Sequence, residues 1–247
     1  MPDDRVGPIL ATGAAALCVL LVLLVAGSIV LSARRRRRRA ERLLAWARAN
    51  GWTLTERPPV DWARRLPGGN RNGVGPALSG HARGRPVTVA EYSVTDVRTT
   101  TVTDGVGGVA TSDTPVAHFY VVVVTRVLRP LPDIDVEPRT GVARLFPGDG
   151  SPPRAGLARL FPGDGSPSGD PRFDRAFRVR TADPAAIPAW CTAPLIQADL
   201  VGLVPAWTLT GAELMTVEPG RLNPATVATN ADRAANLAAL LDQEPER

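Results

Sequence analysis

The sequence predicts an α+β protein: an N-terminal transmembrane helix followed by an antiparallel β-sheet domain with flanking helices. Three observations predict it. Val6 to Ala33 is an uncharged apolar run that ends directly in Arg34, Arg35, Arg36, Arg37, Arg38 and Arg39. His118 to Thr125 is an aromatic and β-branched run of strand character, with shorter strand-like runs on both sides. Asn223-Pro224 opens a segment whose apolar residues recur at helical spacing as far as Leu241.

The apolar run decides where the chain sits. Ile9 to Leu31 as a helix reaches about 34 Å at 1.5 Å per residue, enough to cross a hydrocarbon layer of about 30 Å. A spanning helix also satisfies its own backbone polar groups, which lipid requires. A cleaved secretory signal would begin with a basic stretch and end in small residues. Here the start is Met1-Pro2-Asp3-Asp4-Arg5 and the end is arginine. Arginine resists translocation, and six stand on one flank against Arg5 on the other, so the N-terminus is expected outside and the domain in the cytoplasm of the plasma membrane. The same arginines are expected to face anionic lipid headgroups, at about 1 kcal/mol for each that reaches the surface.

Charge is unevenly spread along the 247 residues. Residues 1–50 hold nine arginines against three acids, whereas residues 51–247 hold twenty against twenty-one. The basic balance belongs to the anchor, and the domain presents no electrostatic case for nucleic acid. Cys18 falls in the apolar run and Cys191 far along the domain, so an intrachain disulfide is not expected and a reducing compartment fits.

The expected organisation is an extracytoplasmic stub at 1–5, a transmembrane helix at 6–33, and a polybasic juxtamembrane helix at 34–55. A β-rich part follows at 56–128, then a Pro/Gly-rich loop at 129–171, an α+β part at 172–241 and a tail at 242–247. Within the juxtamembrane helix Leu43, Leu44 and Ala47 share a side, Gly51 is its stop, and Trp52 is expected to pack on the domain. Ala77–Arg83 and Val87–Val97 read as hairpin arms joined by Gly84-Arg85-Pro86, with Thr99–Thr103 prolonging the second arm into a tip at Asp104–Gly108. Because His118–Thr125 is continuously apolar rather than alternating, it should be a central strand covered on both faces. In the loop, Gly141–Pro152 recurs as Gly156–Pro167 with a period of fifteen residues in two copies, too few for a solenoid. Phe173 to Arg180 alternates like a half-buried strand. Asp183-Pro184 caps a short helix to Cys191, a second runs from Pro194 to Leu203, and strands follow at Trp207–Gly211 and Glu213–Glu218.

Phe173-Asp174-Arg175-Ala176-Phe177-Arg178-Val179-Arg180, Asp183-Pro184, Trp207-Thr208-Leu209 and Gly220-Arg221-Leu222 with the C-terminal helix resemble a group of uncharacterised actinobacterial membrane-anchored proteins. The likeness covers residues 40–130 and 172–241, outside the duplicated loop. It implies the layout and carries no activity or catalytic residue.

Candidate chemistry is sparse. Cys191 lies between Trp190 and Thr192 in an apolar setting, where an inert thiol is expected rather than a nucleophile. His81 and His118 stand without HxxxH, CxxC or HExxH spacing, so no metal site is expected. Asp133, Asp135 and Glu137 alternate, which places three carboxylates on one face; their prolines favour a solvated extended linker over a cation site. Gly105–Gly108 lacks the Lys-Ser/Thr and the helix of a phosphate loop, and Gly-Asp-Gly-Ser at 148–151 and 163–166 is turn chemistry. No cofactor is expected. The function expected is a membrane-tethered interaction or scaffold module with an unidentified protein partner. A membrane-associated enzyme, or a sensor of anionic lipid or a small molecule, is the alternative.

Overall fold

The computed structural model describes residues 6–66, 73–103, 109–139, 165–202 and 204–243. The chain divides into two compact units, Met1–Trp46 and Ala47–Arg247. The described residues of the first unit all lie on one helix. Helix α1 runs unbroken from Val6 to Asn50, so the expected anchor and juxtamembrane helices are a single element. It ends at Asn50, with Gly51 as the expected stop and a strand, Thr53–Thr55, following within the 34–55 stretch; Gly51 takes the left-handed conformation (φ 70°) that suits glycine and breaks a helix. Among the described residues no helix is long and apolar enough to cross a membrane. Described side chains on α1 begin at Leu23, so most of the apolar run, residues 6–22, lies outside them.

The second unit is built on one eight-stranded, wholly antiparallel sheet. Its strands are β1 (Thr53–Thr55), β2 (Val74–Ala82), β3 (Arg85–Thr103), β4 (Val109–Arg126), β5 (Ile134–Pro138), β6 (Phe177–Thr181), β7 (Trp207–Thr210) and β8 (Glu213–Pro219). The order across the sheet is β1-β2-β3-β4-β8-β7-β5-β6. The helices are α2 (Pro171–Ala176), α3 (Ile187–Trp190), α4 (Ala193–Leu200) and α5 (Pro224–Leu241).

The continuous apolar character of β4 has the expected consequence: every residue from Tyr120 to Val124 is buried, on both faces. One face carries the helices. There Leu237, Ala238 and Leu241 of α5 join Ile134, Leu209 and Leu214 of the sheet in one cluster. On the other face a 3-10 helix at Asp61–Arg65 lays Trp62 and Ala63 over Tyr92, Tyr120, Val122 and Met215. The α5 stripe of Val227, Ala231, Ala234, Leu237, Ala238 and Leu241 is fully buried, and Asn223 accepts from the Ala225 amide as its cap. Glu91, the residue that spoils the apolar face of β3, is buried and accepts the Leu222 amide at 2.9 Å, fixing the approach to α5. Trp52 does pack on the domain. Its ring lies on Gly80, where an added Cβ would sit 2.3 Å from Trp52 Cδ2.

Several expectations need correction. The β2–β3 turn is Arg83-Gly84, both with positive φ (50° and 76°), not Gly84-Arg85-Pro86; two such residues match the twist of a tight hairpin. Phe173 to Ala176 is helical, not strand. Asp170 accepts from the Arg172 and Phe173 amides, Pro171 opens the helix, and Phe173 stacks on Phe177 at 4.9 Å, four residues apart. Residues 134–138, expected within a loop, form β5 in the interior of the sheet, between β7 and β6. Asp242, assigned to the tail, instead accepts the Leu128 and Arg129 amides and pairs with Arg85 at 2.6 Å. β3 and β4 pair on to Thr103↔Val109, well past the last β2 contact at Tyr92 and the last β8 contact at Tyr120. The tip at 104–108, the duplicated segments apart from residues 165–167, and Leu203 lie outside the described residues.

Candidate functional site

The strand register determines which side chains share a face. Over β3, β4 and β8 the face beneath Trp62 is apolar. Over β6, β5 and β7 the same face turns polar: Arg178 and Arg180, then Asp135 and Glu137, then Thr208 and Thr210. Asp135 stands opposite Arg180 on one side and Thr208 on the other. Arg180 Nη1 donates to Asp135 Oδ2 and to Glu137 Oε2, both at 2.8 Å. Asp135 is only 1% exposed and Arg180 8%.

Burial pushes the Asp135 carboxyl up to about 7, with the neighbouring Glu137 charge adding to the rise and Arg180 opposing it. Burial alone would lower the Arg180 guanidinium; Glu137 and Asp135 outweigh it and hold it above its usual range. Asp135 Oδ1, Arg178 Nε, Thr208 Oγ1 and Thr210 Oγ1 are buried without a hydrogen-bond partner. At the margin of this patch Arg65, on the Trp62 helix, donates to Glu213 of β8, and burial lowers its guanidinium from the usual range.

Asp133, Asp135 and Glu137 therefore do not form a solvated linker. Their alternation is real, but it is the alternation of a strand. Asp133 Oδ1 accepts the Gly211 amide at 2.9 Å and holds the β7–β8 turn, while Arg180 occupies the position a cation would take between the other two. Among the described residues no group of three or more His, Cys, Asp or Glu could hold a metal. The cluster can hold one guanidinium between two carboxylates and can exchange one proton.

Apart from this cluster, a concavity of about 470 Å³ is lined in part by Trp62, Ser79, His81, Thr88, Arg126 and Glu213. Ser79 and Thr88 hydroxyls lie 3.2 Å apart there, and His81 is exposed. It mixes a tryptophan wall with hydroxyls and a cation, as a small polar ligand site does.

The other sequence candidates stay apart. Arg34 to Arg38 are exposed and Arg39 half-buried on α1, with Arg37 pairing to Glu41 at 3.1 Å. His118 lies on the β3–β4 ribbon opposite Val94. Cys191 is 8% exposed, and burial with Asp199 nearby pushes its thiol up to about 12, so it stays protonated and inert as expected. Sequence reasoning missed Arg180 and Thr208 as members of a site. Only alternation within 178–180 hinted at them, and the contacts join residues more than forty positions apart. Comparison with known protein families, curated proteins and solved structures finds no match to this chain.

Proposed function

We propose that this chain is a single-pass plasma-membrane protein, N-terminus outside, whose cytoplasmic α+β domain is a non-catalytic interaction or scaffold module. One observation carries the reading: α1 is unbroken from Val6 to Asn50. In such a helix each residue turns by about 100°, so the apolar run and then the six arginines each encircle the axis. A helix lying in the membrane surface needs an apolar face and a polar face along its whole length. Here the two characters succeed one another end to end, as they do in a helix that passes through lipid and emerges among headgroups. The arginine collar then meets anionic lipid and holds the domain near the inner surface. The resemblance to actinobacterial membrane-anchored proteins points the same way.

The test is topological. A protease-sensitive tag placed after residue 247 is expected to survive protease added to intact cells and to be lost when the membrane is opened. Digestion from outside, or recovery of the chain in the soluble fraction after lysis, ends the proposal.

The groove beside Trp62 favours a second reading, a small-molecule sensor, since its volume falls within the range of about 300–1,000 Å³ common for ligand sites.

A further inference from the structure

On the helix side of the sheet, opposite the Arg180 cluster, sits another buried acid. Asp199 of α4 is 2% exposed, and both its carboxylate oxygens lack a hydrogen-bond partner. It belongs to a segment whose Ile187, Trp190 and Leu195 pack with Trp207, Leu209 and Leu214 of the sheet in one core. Trp190 and Trp207 meet edge to face at 5.9 Å, and neither indole nitrogen completes a hydrogen bond. We propose that Ile187–Leu200 is a proton-gated flap, seated on this core while Asp199 holds a proton and released when Asp199 gives that proton to water.

Each element packed against Asp199 supports the point. Just past α3 lies the Cys191 thiol, itself neutral, and Arg129 donates to α3 at the Ala189 carbonyl. From α2 comes Phe173, while Asp170 and Asp174 act on Cys191 rather than on Asp199. From α5 come Leu237, Ala238 and Leu241, with Asp232 and Arg233 on its exposed side. β7 offers Trp207, whose N–H eases the negative charge without closing a normal bond. Among the described residues no arginine bears on Asp199, in contrast to Asp135. Burial pushes its carboxyl up to about 7.

The segment carries its buried Ile187, Trp190 and Leu195 on two short helices. α3 has four residues and α4 eight, both shorter than a helix that persists alone in water. Pro188 and Pro194 prevent the two from fusing, and Gly202 (φ 71°) forms a turn just beyond α4. Such short, interrupted segments open locally at less cost than the sheet beneath them. In the released segment the carboxyl returns to its ordinary value near 3.9, whereas seated it stays near 7. Release is therefore favoured up to about tenfold per pH unit between about pH 4 and pH 7, and levels off above, where both forms are ionised.

Hydrogen exchange on the full chain across pH 4.5–8, corrected for intrinsic rates, reads this directly. Amides of 193–200 are expected to lose protection about tenfold per unit up to about pH 7 and then plateau, while those of 227–241 change far less. Asp199→Asn should remove the slope and keep the segment protected at pH 7; Asp135→Asn should leave it in place. A slope that persists in Asp199→Asn, or one shared equally by α5, overturns the flap. If Asp199→Asn does not fold, carbon NMR of the wild-type carboxyl decides: a midpoint near 7 supports the proposal, and one near 4 defeats it.

Discussion

The two halves of one sheet face solve burial in opposite ways. Over β3, β4 and β8 the 3-10 helix and Leu66 just after it cover tyrosines, valines and Met215, and the cluster is built of apolar and aromatic side chains. Over β6, β5 and β7 the same face buries two carboxylates around one guanidinium and leaves four polar atoms unsatisfied. The apolar half gains stability roughly in proportion to area removed from water. The polar half gains little net energy, because desolvating the ions offsets their attraction, but it is intolerant of a missing partner. The contrast teaches that the buried charge here specifies an arrangement more than it stabilises one: Arg180 can serve Asp135 and Glu137 together only when β5 and β6 pair in this register.

The comparison can be broken from either side. The largest effect is expected for Arg180→Met, which keeps the bulk and strands two carboxylates; denaturant unfolding should show a loss of about 3–5 kcal/mol at pH 7.5. The loss should shrink at pH 5, where the stranded acids take up protons. Trp62→Ala should come next, at about 3 kcal/mol from lost burial, and should be nearly indifferent to pH because no ionisable group depends on it directly.

Asp135→Asn sharpens the contrast with a smaller effect. The folded carboxyl sits near 7, above its unfolded value, so the protonated form is the one folding favours. Its contribution is fully present below about pH 4 and is lost as pH rises towards 7. The wild type should therefore weaken across that window, and the variant should flatten the decline by about 2 kcal/mol. An unchanged slope would mean that Asp135 stays ionised and paired with Arg180 throughout.

The central strand, the capped C-terminal helix and the inert cysteine were legible because each is a local signal: an unbroken apolar run, an Asn-Pro start with a helical stripe, a thiol among apolar residues. The strand at 134–138 was not. Three prolines around it and alternating acids look like a solvated linker until Arg178 and Arg180 arrive from beyond the duplicated loop. The stretch 173–176 misled for a related reason, since Phe173 and Phe177 fit both a strand face and one turn of helix. Asp170 and Pro171 chose the helix by capping it.

What the sequence determined by itself is therefore what depends on neighbours in the chain: the unbroken character of the apolar and arginine runs, the period of α5 and the weight of β4. Tertiary structure alone decided which charges meet. Ion pairs across a sheet depend on register, and register is settled only when distant strands align their apolar residues on a common core. For the same reason nothing in the sequence around Asp199 marks it as buried and without a cation.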